Sequence, residues 1–392
     1  MPNLDFSNTE IAFERRTNSE LWQMSWLFGL MNRSWLVSLG SKLTLLALKM
    51  RLPVQSIIKA TIFKQFCGGI NVEECAKSIQ NMSDYGVLTI LDYGVEAKTS
   101  EADFDNTVAA NIKSIHFAAK NQKVPIISCK ISGLARFALL EKIDARQSLT
   151  DAEKAEYDRA IQRIDKICME AADNEIGVFI DAEESWVQDT IDDIALLLME
   201  KYNKNRVIVY NTFQMYRHDR LAYLKQSYEL SKEKGFLLGA KIVRGAYMEK
   251  ERARAEQMKY PSPIQISKSV TDHDYNEAIR FCIEHYTEIG SCLASHNQVS
   301  CMYQATEILE KAIPQKHPHL SFCQLYGMSD NLTYNLAKAG FNISKYVPYG
   351  EVKEVIPYLI RRAKENSSVN GEMGRELGFI TQEINRRRQA KK

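Results

Sequence analysis

Leu238-Gly239-Ala240-Lys241-Ile242-Val243 is a short apolar run interrupted by one lysine, and a longer amphipathic stretch follows it. The same alternation recurs around it. Val87–Leu91, Pro125–Lys130, Gly177–Ile180, Arg206–Tyr210, Cys292–Ser295, Leu320–Cys323 and Ile343–Val347 are also short, β-rich and apolar, each trailed by a helix-length segment. Strands covered on both faces by crossover helices read as continuous apolar runs rather than alternating ones. Eight such units predict an α/β chain whose sheet closes into a (β/α)8 barrel.

Residues ahead of the first strand read differently. Leu21, Trp22, Met24, Leu27, Phe28 and Met31 recur at helical spacing, and Leu43, Leu46, Ala47 and Met50 continue the pattern. The expected organisation is an N-terminal helical arm over residues 1–82, a barrel domain over residues 83–370 and a basic tail over residues 371–392. That tail, Asn385 to Lys392, reads as a solvated, frayed end that could also be drawn weakly to anionic lipid.

Composition excludes several classes. Acidic residues number 49 against 51 basic ones, so nothing marks a general nucleic-acid binder. The eight cysteines lack CxxC spacing, and Cys129, Cys168, Cys292 and Cys323 lie in apolar runs, which reads as buried reduced thiols. Asp5, Glu10 and Glu14 are unlike a secretory or transit leader, and Lys42 and Lys49 break the most apolar stretch, so no transmembrane segment is expected. There is no GxGxxG after the first strand and no GxxxxGK[ST], which leaves a Rossmann or P-loop site unsupported. His317 and His319 precede a strand and face the wrong end of a barrel, so no metal site is expected.

Barrel chemistry sits at the C-terminal ends of the strands. Polar residues there are Asp92, Tyr93, Lys130, Asp181, Glu183, Glu184, Asn211, Gln214, Lys241, Arg244, His296, Asn297, Gln324 and Tyr346. The final helix carries Arg361, Arg362 and Glu365 at spacings that share one side. Placed over the barrel mouth, two guanidinium forks would clamp a carboxylate, with Glu365 steadying one of them. Lys130 and Lys241 suit three roles: a partner for Asp181, a Schiff-base nucleophile, or a cation beside a redox ring.

Six segments, in order, resemble the proline dehydrogenase family. They are Asp181-Ala-Glu-Glu184, Ala240-Lys-Ile-Val-Arg-Gly-Ala-Tyr247, Ala294-Ser-His-Asn297, Gln324-Leu-Tyr-Gly-Met328, Tyr346-Val-Pro-Tyr-Gly350 and Tyr358-x-x-Arg-Arg-x-x-Glu-Asn366. The resemblance implies a distorted TIM-like barrel with non-covalent FAD at the strand ends. It implies that Arg361 and Arg362 grip the carboxylate of L-proline, with Tyr346 against the ring and Leu325 and Tyr247 enclosing it. Lys130 and Asp181 then form the polar pair beside the reacting centre. Gln214, Arg244, Gly245, Ala246, His296, Asn297, Gln324 and Glu365 become cofactor contacts, and Lys268 or Thr271 reaches the phosphates. Lys241 stands where many bacterial relatives carry arginine, next to the flavin. A tyrosine at 346 leaves little room for a ring hydroxyl, which favours proline over hydroxyproline.

The implied function is oxidation of L-proline to 1-pyrroline-5-carboxylate, the first step of proline catabolism. FAD takes the hydride, and a membrane quinone takes the electrons. A separate pyrroline-5-carboxylate dehydrogenase acts downstream, and the location is cytoplasmic with peripheral contact at the inner face of the membrane. The competing readings are a Schiff-base barrel aldolase using Lys130 or Lys241, and a non-catalytic scaffold at a membrane surface.

Overall fold

A computed structural model describes residues 4–50, 53–94, 98–368 and 372–390, with the side chains of residues 48, 364–368, 372 and 373 outside that description. Eight parallel strands close into a barrel in sequence order. They are β1 (Leu88–Tyr93), β2 (Ile126–Cys129), β3 (Gly177–Ile180), β4 (Val209–Gln214), β5 (Leu238–Val243), β6 (Ile289–Ala294), β7 (Leu320–Leu325) and β8 (Ile343–Tyr349). Every residue of β3, β4 and β8 is buried, as a barrel wall covered on its outside by helices requires.

Only β3 and β5 keep the expected bounds; the other six shift at one end or both, and the causes are visible at β4 and β8. β4 begins at Val209 rather than Arg206, because Asn203 Oδ1 accepts the amides of Ile208 and Val209 at 2.9 Å each. The strand then runs on to Gln214, so Asn211 and Gln214 lie within it. β8 runs on to Tyr349 despite Pro348, whose carbonyl accepts the amide of Gly68 at 2.9 Å, while Gly69 pairs with Tyr349.

The chain forms two compact units, Thr89–Cys323 and a second made of Met1–Leu88 with Gln324–Lys392. Each has its own local determinants. In the first, the helix Asp151–Asp173 opens on a capping box, with Thr150 and Glu153 each satisfying the other's backbone amide. The helix Arg220–Lys234 stops at Gly235, which takes a left-handed φ of 65°.

In the second unit the arm helix Asn18–Met31 also opens on a capping box, Thr17 with Glu20. It buries Leu21, Met24, Phe28 and Met31, one face of the helix. These meet Val355, Ile356 and Leu359 of the helix Val352–Ser368 and Ile380 and Ile384 of the helix Glu372–Gln389 in one apolar core. Of the residues expected as a frayed tail, residues 385–389 are therefore corrected to the end of a helix, while Lys391 and Lys392 lie outside the described residues. Arg386 and Arg387 both bind the buried Glu383, and Arg387 also donates to the carbonyls of Phe13 and Arg16. Phe13 ends the helix Thr9–Phe13, and its carbonyl, which also accepts the Arg16 amide at 2.8 Å, lies at the helix end that attracts a guanidinium.

Candidate active site

Three charged side chains converge in the unit Thr89–Cys323. Lys130 directly follows β2, Asp181 directly follows β3, and Lys241 lies within β5. Lys241 Nζ donates to Asp181 Oδ1 at 2.6 Å, and Lys130 Nζ stands 4.0 Å from Asp181 Oδ2. The ammonium of Lys241 also lies 5.1 Å from the ring centroid of Phe179. One carboxylate thus faces two ammonium groups in a largely buried setting. Such a cluster is retained only if its members compensate one another.

Two residues further on, Glu183 is buried, and its carboxylate accepts the amide of Ser132 at 3.0 Å. Burial pushes the carboxyl up to about 7, against the lowering pull of Ser132 and Lys130. The Glu183 amide donates to Gln188 Oε1 and its carbonyl accepts from Gln214 Nε2, both at 2.8 Å. The amide of Ala246 donates to Gln214 Oε1 at 3.4 Å, so Gln214 ties the end of β3 to the loop after β5.

That loop begins with Arg244, whose guanidinium is clamped on three sides. Nε donates to Asp272 at 2.8 Å, Nη1 to Ser295 at 2.8 Å and Nη2 to Ser300 at 3.0 Å, with the Tyr275 ring 4.1 Å from the guanidinium carbon. Gly245 follows at φ +139°, where a Cβ would fall 2.4 Å from the Tyr216 ring, so only glycine fits the turn. Tyr247 is buried just ahead of the helix Met248–Met258.

Other expected contacts take local positions in this unit. Asn297 caps the helix Gln298–Glu310 by accepting the Ser300 amide at 3.1 Å, and His296 beside it is half-buried. Lys268 opens the helix Lys268–Glu284 and is largely exposed, 2.5 Å from Asp272. Thr271 is buried in the first turn of that helix and donates to the Ser267 carbonyl at 3.3 Å. His319 Nδ1 donates to the Tyr286 carbonyl at 2.8 Å, and its ring packs 5.3 Å from His317.

The second unit holds the remaining expected residues. Gln324 is buried at the end of β7 and accepts from Thr333 Oγ1 at 2.8 Å. Leu325 is half-buried, and Tyr346 is buried within β8 with its carbonyl accepting the Tyr326 amide at 2.9 Å. Arg361 and Arg362 are half-buried on the helix Val352–Ser368, and the Arg362 guanidinium carbon stands 5.7 Å from the Tyr358 ring. The side chain of Glu365 lies outside the described residues.

Sequence reasoning missed the supporting shell. Phe179, Ser132, Asp272, Ser295 and Ser300 hold the charged groups in place, yet none belongs to a spacing pattern that would single it out. Only Ser295 had a signal, as the neighbour of His296. Among the described residues no cluster of three or more His, Cys, Asp or Glu is arranged to hold a metal.

The fold is that of a closed (β/α)8 barrel with cationic and hydrogen-bonding groups at its strand ends, the end where barrels of this class carry their sites. Comparison with known proteins is more specific. Residues 75–375 match the proline dehydrogenase family, and the chain belongs to that family. It is 33% identical to proline dehydrogenase 1, mitochondrial, of Dictyostelium discoideum over 86% of this chain and 66% of that protein. It is 32% identical to proline dehydrogenase 2, mitochondrial, of Arabidopsis thaliana over 85% of this chain and 79% of that one. Among solved structures, proline utilization A from Bdellovibrio bacteriovorus, inactivated by N-propargylglycine, aligns with a TM-score of 0.72 at 21% identity, over 94% of this chain and 38% of that chain. The chain therefore spans just under two thirds of the Dictyostelium protein and well under half of the bacterial one.

Proposed function

We propose that the protein oxidises L-proline to 1-pyrroline-5-carboxylate with FAD as hydride acceptor and passes the electrons to a quinone. The observation that carries the reading is the buried Lys130–Asp181–Lys241 cluster, which lies inside the matched family region. An electron-rich reduced ring is favoured by adjacent positive charge, which the ammonium groups of Lys130 and Lys241 would supply.

The residues present fit such a cofactor. Gly245 leaves the chain without a Cβ where the loop after β5 turns, and Gln214 bonds across to the same loop. Arg244 and Lys268, both paired with Asp272, stand beside the first turn of the helix Lys268–Glu284, and together they would face a diphosphate. Gln214, Arg244, Gly245, Ala246, His296 and Asn297 would hold the cofactor, and Gln324 would assist. Bound FAD supplies the two-electron acceptor that no side chain can provide.

The chain's own groups do the rest. Arg361 and Arg362 take the carboxylate of proline through planar forks, which orient it as well as bind it. Tyr346, Leu325 and Tyr247 enclose the ring and exclude water. Lys130 and Asp181 provide the polar environment in which the amine gives up its proton before hydride leaves. Positioning of this kind can supply much of the rate. The ion pair between Lys241 and Asp181 speaks against an uncharged Schiff-base nucleophile at Lys241. A separate dehydrogenase would consume the product.

The test is anaerobic titration of the purified holoprotein with L-proline, hydroxyproline and pipecolate. Bleaching of the flavin band by proline first supports the proposal. A band that stays oxidised in excess proline removes it.

A further inference from the structure

Lys345 lies within β8 and is completely buried, a rare place for an ammonium group. It donates to the carbonyls of Leu325, at 3.4 Å, and of Met328, and stands 3.0 Å from Asp330 Oδ1. These three residues bracket the turn that leaves β7 and enters the helix Asp330–Lys338. One side chain thus grips both ends of the turn, and its charge is balanced at the first residue of the following helix, where a carboxylate is favoured. Arg15 and Arg16 take the other oxygen of Asp330, at 3.0 Å and 3.4 Å, which brings the N-terminal residues into the same network.

The turn is braced from other sides as well. Gln65, buried, donates to the Gly327 carbonyl at 2.7 Å, and its own carbonyl oxygen would lie 2.0 Å from a Cβ at position 327, where φ is +80°. Glu376 of the last helix accepts both the amide and the hydroxyl of Ser329 at 3.1 Å, and Ser329 takes a left-handed φ of 51°. A residue other than glycine keeps such a conformation only where its surroundings enforce it, and enforcement of that kind gathers at functional sites. The Tyr326 amide donates to the Tyr346 carbonyl at 2.9 Å, which ties the turn to β8 one residue beyond Lys345. All of these groups belong to the unit that also carries Arg361 and Arg362.

We propose that Lys345 is a positioning residue that fixes the gap between Leu325 and Tyr346, and that it thereby sets the size of ring the site admits. The inference rests on the proline reading given above. Leu325 stands at one end of the braced turn and Tyr346 directly follows Lys345, so a shift of the turn changes the space between them. Successive residues of a strand point to opposite faces, so Lys345 acts from behind the wall that Tyr346 presents. A buried ion pair adds little stability over a packed apolar pair, and what this one contributes is a defined geometry. Geometry matters here because one ring methylene is discriminated by only about 10–200-fold in a well-shaped pocket. A wall that yields forfeits that margin. Arg15 and Arg16 extend the device to the N-terminal residues, which reach the pocket wall through Asp330.

The experiment compares the full-length holoprotein with Lys345→Met and Gln65→Leu. Two quantities are read: the ratio of kcat/KM for L-proline to that for L-pipecolate, whose ring has one more methylene, and amide hydrogen exchange over residues 325–329. Lys345→Met should lower the ratio by roughly tenfold, mostly through KM for proline, and should speed exchange in the turn. Gln65→Leu loosens the same turn without touching any charge and should move both readings the same way by less. Should Lys345→Met fail to fold, Gln65→Leu decides alone. Faster exchange with an unchanged ratio reduces Lys345 to holding the fold and overturns the proposal, and so does unchanged exchange in both variants. A wild type whose flavin proline leaves oxidised overturns the reaction and this inference together. That result is distinct from failure of the inference alone, in which the wild type turns over proline and the variants keep its ratio.

Discussion

Lys241 and Asp181, sixty residues apart in the chain, share a 2.6 Å hydrogen-bonded ion pair in which neither side chain is more than 12% exposed. Removing one partner leaves the other as an uncompensated buried charge, at a cost of about 3–5 kcal/mol. Asp181→Ala and Lys241→Met should each lower stability by roughly that amount. The double variant should lose much less than their sum. Urea unfolding of all four proteins measures the coupling, and strict additivity would show that the pair does not act as a unit.

The arginine pair leads to a kinetic prediction. Arg361→Met and Arg362→Met should each raise the KM for proline by roughly ten- to a hundredfold, the worth of a charge-assisted hydrogen bond. Melting temperature should hold, because both side chains are only half-buried. Steady-state kinetics with a soluble dye acceptor reads the effect, and unchanged KM in both variants rules out the carboxylate clamp.

Gly245 and Gly235 make a matched pair of glycine tests. At Gly245 both φ and the Tyr216 ring oppose a side chain, so Gly245→Ala should cost about 1–3 kcal/mol and lower the bound flavin per protein. Gly235 also has a positive φ but open space around it, so Gly235→Ala should cost only about 1 kcal/mol or less and leave flavin content intact. Absorbance ratios and thermal unfolding together separate the two effects.

Buried acids of opposite fate predict how stability depends on pH. Burial pushes Glu376 up to about 7, although Arg375 and Lys345 pull against it, and Glu183 is likewise pushed up to about 7. A carboxyl raised in the folded state binds a proton that the unfolded chain has released. Stability from these two groups is therefore present below the ordinary glutamate range and declines as pH rises through 7. Asp330 runs the other way. Burial opposes its charge, but Lys345 at 3.0 Å, Arg15 at 3.0 Å and Arg16 at 3.4 Å hold it well below the carboxylate range. Its contribution is present above the ordinary aspartate range and is lost only in strong acid. Denaturant midpoints should thus fall between about pH 5 and pH 8 in the wild type and flatten in Glu183→Gln with Glu376→Gln. An equal slope in that variant would assign the pH dependence elsewhere.

Much of the fold was legible because barrel strands are buried on both faces. That leaves a mark no turn or surface can imitate, and β3 and β5 fall on the residues their apolar runs define. β4 slipped because a single asparagine, Asn203, five and six residues back, takes the amides of Ile208 and Val209 in a turn-like bond that no apolar pattern marks. The basic run at the end read as solvent-exposed because, although Glu383 is a local helix neighbour of Arg386 and Arg387, nothing in the sequence told that it would be buried or that the distant carbonyl of Phe13 would receive Arg387.

The order of eight apolar runs, the glycine at 245 and the six family-like segments are properties of the chain itself, because backbone period and steric tolerance are local. Which lysine claims Asp181, what clamps Arg244 and where three cations meet Asp330 were settled only by folding, because each joins groups tens to hundreds of residues apart. Burial strengthens those charge interactions, and no linear pattern encodes how much water a site will lose.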